Sequence, residues 1–146
     1  MTAEMLTALS APRTATLRDV LERIDRSGLA VALLVDDDRR LVGLLTDGDV
    51  RRAILAGAAL TDPAERYATR EPHVVTAGSS RALVLDLMRA LRIIAVPEVD
   101  AAGRVVGLHT LSDVVGARPL PNLAVVMAGG RGTRLGAITS TTAKPM

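Results

Sequence analysis

Cysteine is absent from the 146-residue chain, so neither disulfides nor thiolate metal sites are available to it, which fits a reducing cytoplasm. Aromatic residues are almost missing as well: Tyr67 stands alone, with no Phe and no Trp. A core must then be assembled from Ala, Val, Leu and Ile, and the ring platforms on which single-stranded nucleic acid or RNA stacks are lacking. Lysine is confined to Lys144. The rest of the basic side is Arg, and a formal charge of +2 is too small to call for a nucleic-acid partner. No apolar run approaches membrane-spanning length. The start, Met1-Thr2-Ala3-Glu4-Met5, has an early acid and no cationic stretch before an apolar run, so neither a signal peptide nor a membrane partner is expected.

What the chain does have is a repeat. Gly43-Leu44-Leu45-Thr46-Asp47-Gly48-Asp49 returns as Gly107-Leu108-His109-Thr110-Leu111-Ser112-Asp113, 64 residues later. Each copy follows an apolar run (Ala30 to Val35, then Ile93 to Val99) and a charged or Gly-containing turn, and each leads into a helix-like segment. A strand, a tight turn, a second strand and a helix start are thus written twice. Thr followed three residues later by an acid is a helix-start signature, in which hydroxyl and carboxylate satisfy orphan backbone N–H groups. A second reading is open at the same residues: a carboxylate suits the two hydroxyls of a ribose, and a Thr hydroxyl with free N–H groups suits phosphate oxygens.

Taken in order, residues 1 to 13 read as a lead-in ending at Pro12. Leu17, Val20, Leu21 and Ile24 recur at helical spacing, and Gly28 stops that helix. Ala30 to Val35 is an apolar strand buried on both faces, Asp36 to Arg40 a solvated turn, and Leu41 to Leu45 the partner strand. Val50, Ala53 and Ile54 place the next helix against it. Arg51 and Arg52 in its first turns are either exposed surface or within reach of a bound phosphate. Asp62-Pro63 offers an N-cap and an N1 proline for a short helix in the connector, and Val74 to Thr76 opens the second unit. Val84, Leu87, Met88 and Leu91 form the next helix, whose extra Leu83 and Leu85 broaden its apolar surface toward a seam or a dimer contact. His73 and His109 have no metal-ligand spacing; His109 is a strand-end residue or a contact of the second cleft.

The doubled Gly-x-x-Thr-x-x-Asp resembles a tandem of cystathionine-β-synthase-type (CBS) domains, over roughly residues 14 to 116. That resemblance implies an α+β fold of two βαββα repeats, spanning 1–60 and 61–116, and a disc-like homodimer. It further implies an adenosine nucleotide (AMP, ADP or ATP) as regulatory ligand. Asp49 and Asp113 would hold ribose, Thr46 and Thr110 phosphate, with Asp47 a further nucleotide-binding residue of the first cleft.

After a proline-stiffened linker at 117–122, Leu123 to Met127 is a strand running into Gly129, Gly130, Arg131, Gly132, Thr133 and Arg134. The stretch to Met146 resembles the opening signature of bacterial sugar-phosphate nucleotidyltransferases, although Ala137 and Ala143 stand where that family usually has proline. The resemblance implies that Gly129, Gly130, Gly132, Thr133, Arg134 and Lys144 hold a nucleoside triphosphate, with Mg in the full-length enzyme. The metal-binding Asp residues of that family lie beyond the signature, so residues 1–146 by themselves are expected to be non-catalytic. Two functions follow: a nucleotide-sensing regulatory pair of such an enzyme, or a ligand-free dimerisation module whose Thr and Asp only cap helices.

Overall fold

The computed structural model describes residues 2–116, and the 64-residue repeat governs their architecture. Thr2 caps helix α1 (Ala3–Leu9) and strand β1 (Ser10–Pro12) follows directly. Helix α2 (Leu17–Ser27) has Thr16 and Asp19 in a reciprocal capping box at its start and Gly28 in the left-handed conformation at its end. Strands β2 (Val31–Val35) and β3 (Leu41–Thr46) and helix α3 (Asp47–Leu55) complete the first unit. The second unit repeats the series as β4 (Val75–Thr76), α4 (Arg81–Leu91), β5 (Ala95–Val99), β6 (Val105–Thr110) and α5 (Leu111–Val115). Each unit is therefore βαββα, as the CBS resemblance implies.

Each sheet has three strands, with β2 and β5 in the middle. β1 runs parallel to β2 and β3 antiparallel to it; β4, β5 and β6 do the same. Even the irregularities match: the register shifts between Leu34 and Val35 in one sheet and between Glu98 and Val99 in the other, again 64 residues apart. Successive side chains on a strand point to opposite faces. Ala32 and Leu34 enter the core of the first unit with Leu17, Val20, Ile24 and Leu45, while Val31 and Leu33 enter a cluster with Leu6, Leu9, Leu44, Val105 and Leu108. This two-sided burial is why β2 reads as an unbroken apolar run. Burying each such Val or Leu contributes about 1.5–3 kcal/mol, so the cluster that draws on both sheets fixes the units to one another. Hydrogen bonds between the hairpin turns reinforce it in symmetric pairs: Leu41 N donates to Gly103 O and Val105 N to Arg39 O, at 3.1 and 3.0 Å.

Three expectations change. The stretch taken as a lead-in contains α1 and the first strand of the first repeat, and Leu6 and Leu9 are core residues. β1 is three residues long and ends in Pro, so its strand character comes from pairing with β2 and leaves no local pattern. In the connector, Asp62 does not cap a helix. Its carboxylate accepts from Ala59 N and the Tyr67 hydroxyl, and Pro63 precedes a single 3-10 turn, Ala64–Arg66, with no side-chain cap. Ile54 faces solvent more than its spacing suggests, leaving Val50 and Ala53 to anchor α3.

Candidate functional site

Two clefts open where a motif meets the opposite repeat. Each motif sits at a strand-to-helix junction: Thr46 ends β3 and caps α3, and Thr110 ends β6 and caps α5. Equivalent backbone bonds hold the junctions in place, Asp47 N donating to Ala30 O at 3.0 Å and Leu111 N to Ile94 O at 2.9 Å.

The first cleft has a volume of about 320 Å³. Its floor comes from Leu44, Thr46 and Asp49, its far wall from the turn Arg92 to Ala95, and its rim from Thr69, Glu71, Pro72 and His73 of the connector. The connector lies so close because Leu44 and Thr69 exchange two backbone hydrogen bonds, at 3.0 and 2.9 Å. That approach needs the motif glycine: a Cβ on Gly43 would stand 3.0 Å from Ala68 Cβ and 3.4 Å from Thr69 O.

Thr46 and Asp49 form a capping box. The Thr46 hydroxyl and backbone N–H both donate to Asp49 Oδ2, at 2.7 and 2.8 Å, and Thr46 Oγ1 accepts from Asp49 N at 3.2 Å. Asp49 Oδ1 accepts from Arg52 at 2.5 Å. Burial pushes the Asp49 carboxyl up, but the side-chain and backbone bonds from Thr46 and the Arg52 guanidinium outweigh it and hold the group below its ordinary value. The carboxylate is therefore charged at neutral pH and is 19% exposed, whereas Arg52 is 72% exposed and held only at the surface. Such a pair is worth at most about 1 kcal/mol, so a ligand hydroxyl can displace Arg52 from Oδ1 at little cost.

The second cleft has about 190 Å³ and is lined by Gly28 to Val31, Ile94, Ala95, and Thr110 to Ser112. Thr110 and Asp113 form the same capping box, with the Thr110 hydroxyl 2.6 Å from Asp113 Oδ2. Ser112, where the first copy has Gly48, brings a second hydroxyl to 2.8 Å from Thr110 Oγ1. Gly107 gives way to a side chain instead of a connector, since a Cβ there would stand 2.6 Å from Glu98 Oε2.

The structure thus brings Thr46 and Asp49 into one cleft and Thr110 into another. Asp47 and Asp113 do not line either; Asp47 pairs with Arg51 on the helix surface. His109 also stays outside the second cleft, its Nε2 buried without a hydrogen bond and 3.4 Å from Glu98 Oε2. Sequence reasoning missed Glu71, Arg92 and Ile94 as cleft residues. Only Arg92 carried a signal, because it stands at the repeat position of the helix-ending Gly28 and shares its left-handed backbone, with φ 54° against 66°. The residues Gly129, Gly130, Gly132, Thr133, Arg134 and Lys144 lie outside the described residues. Among the described residues no three His, Asp or Glu gather as a metal site, and no helix is long and apolar enough to cross a membrane.

Residues 3–56 match the family profile of the CBS domain. The CBS domain protein PAE2072 from Pyrobaculum aerophilum, solved with AMP, superposes with a TM-score of 0.70 at 28% identity, covering 75% of this chain and 85% of that one. The described residues have the fold of a CBS-domain pair. The CBS pair of protein MJ0100, in complex with 5-methylthioadenosine and S-adenosyl-L-methionine, shares the fold with a TM-score of 0.67 at 24% identity, covering 73% of this chain and 87% of that one. Among curated proteins, the arabinose 5-phosphate isomerase GutQ of Escherichia coli O6:H1 is 32% identical over 100 residues, 68% of this chain and 31% of that protein. The chain therefore spans about a third of the length of this relative.

Proposed function

We propose that the CBS pair senses an adenosine nucleotide, bound in the first cleft. The observation that carries this reading is the meeting of three chemistries in one cleft of about 320 Å³. A charged carboxylate, Asp49, accepts from ribose hydroxyls once Arg52 swings away. The Thr46 hydroxyl stands at the start of α3 and reaches phosphate oxygens by turning its proton from Asp49 Oδ2. Leu44, Ile93, Ile94 and Ala95 supply an apolar wall for the base. The size agrees, because sites for small organic ligands start near 300 Å³, and the second cleft at about 190 Å³ falls below that. One nucleotide per chain is expected. Ile94 and Ala95 line both clefts, so a ligand in the first bears on the wall of the second, and the pair shifts by as much as the ligand's preference between arrangements allows.

Adding AMP, ADP or ATP to the protein tests the reading: binding to the folded state raises its melting temperature. A protein whose melting stays unchanged at millimolar nucleotide is not a sensor. The competing reading, a ligand-free dimerisation module, draws on the capping boxes themselves, in which Thr and Asp already satisfy one another. Homodimerisation belongs to both readings and is supported by apolar side chains left exposed on α4 and α5, including Leu83 and Val115. Light scattering of the wild type against Leu83→Glu decides it.

The enzyme to which the pair belongs is a separate proposal. The tail signature from Gly129 to Lys144 speaks for a sugar-phosphate nucleotidyltransferase, and it does so alone: curated relatives about 30% identical over 98 to 100 residues are named as arabinose 5-phosphate isomerases. Release of pyrophosphate from nucleoside triphosphate and sugar 1-phosphate by the full-length protein, against isomerisation of a pentose phosphate, separates the two.

A further inference from the structure

We propose that Arg92 is the anion-selecting residue of the first cleft, giving it a preference for a phosphorylated over an unphosphorylated adenosine; this rests on the reading that the cleft takes an adenosine ligand. Arg92 and Gly28 hold the same place in the two repeats, each ending the helix that precedes the central strand, and each lines its own cleft. Glycine adopts the left-handed conformation without steric penalty, and arginine does not. A strained arginine thus stands on the wall of the larger cleft, where its mate in the smaller cleft is a residue without a side chain.

Charge decides what that arginine does. The residues lining the first cleft include two carboxylates, Asp49 and Glu71, and one permanently charged cation, Arg92. Without Arg92, the only permanently charged side chains lining the cleft would be acids, which repel a phosphate group carrying nearly two negative charges. Arg52 leaves Asp49 when a ribose hydroxyl takes its place, but it is 72% exposed and does not line the cleft, whereas Arg92 lines it and makes no ion pair among the described residues. A guanidinium without a partner has all its N–H donors free for phosphate oxygens. Backbone strain alone would not single it out, since Arg39 also has a positive φ, at the position where the second repeat has Gly103. Arg39, however, lies in the hairpin turn and lines neither cleft, which makes it the control.

Calorimetric titration of the full chain with AMP and with adenosine, in wild type, Arg92→Gly, Arg92→Lys and Arg39→Gly, tests the proposal. Arg92→Gly is expected to weaken AMP about tenfold, leave adenosine within about twofold and not lower the melting temperature. Arg92→Lys keeps most of the preference, and Arg39→Gly leaves both affinities unchanged. Equal losses for AMP and adenosine in Arg92→Gly, or an unchanged AMP affinity, overturn it. So does a comparable AMP loss in Arg39→Gly. Should wild type bind neither ligand, the nucleoside reading fails, and the Arg92 Nε resonance under added pyrophosphate decides the rest: a shift keeps Arg92 as an anion contact, and no shift ends the proposal.

Discussion

The first and second clefts are built on one skeleton, with the same strand registers, the same capping boxes and the same backbone clamps between repeats, and they differ in what surrounds the motif. Around Thr46 lie a connector laid over Gly43, an arginine at the end of α4, and about 320 Å³ of space. Around Thr110 lie a glycine at the end of α2, a serine hydroxyl against the motif threonine, and about 190 Å³. The stretch 64 residues before the connector is α1, whose Leu6 and Leu9 pack with Leu108 and do not frame the second cleft. A motif therefore specifies a helix start in both halves, and its neighbours decide how large a cavity that helix start faces.

The largest difference between the halves should come from the two aspartates. Asp49→Ala is expected to weaken AMP by about ten- to a hundredfold, as loss of hydrogen bonds to a charged group does, while Asp113→Ala leaves the affinity within about twofold. Equal effects would make the clefts equivalent. The glycines sharpen the contrast: Gly43→Ala presses on Ala68 and the backbone of Thr69 and should cost about 1–3 kcal/mol of stability together with AMP affinity. Gly107→Ala meets first the flexible end of Glu98 and should leave AMP binding alone. Thr46→Val and Thr110→Val each remove an N-cap worth about 1 kcal/mol, so both lower the denaturation midpoint, but only the first should weaken AMP.

Much of this was open to sequence reasoning. The 64-residue period, both capping boxes, the end of α2 at Gly28 and the double-sided burial of β2 follow from spacing and residue type. The clefts did not. Thr69 to His73 reach the first cleft through a backbone pairing with Leu44 that no local pattern encodes, and β1 is too short and too proline-bound to announce itself. Arg92 had only its repeat position opposite Gly28 to point to it, because left-handed helix ends are read from glycine and here an arginine occupies one.

The smallest expected effect is on pH dependence. Asp19 and Asp49 are both held below their ordinary values. At Asp19 the backbone and side-chain bonds from Thr16 do this; at Asp49 the bonds from Thr46 and Arg52 override the opposing effect of burial. A carboxyl lowered in the folded state contributes stability above its unfolded value and loses that contribution as pH falls through the folded one. Urea midpoints should thus drop as the pH goes below about 4, and Asp49→Asn should flatten that limb, as should Asp19→Asn.

The claim on which the comparison turns is that one cleft of the pair is a nucleotide site. Crystals of the protein grown with millimolar AMP address it directly. The account predicts density in the first cleft alone, with the ribose on Asp49, Arg52 displaced and the phosphate beside Thr46 and Arg92. Density in the second cleft, or two empty clefts at that concentration, would contradict it.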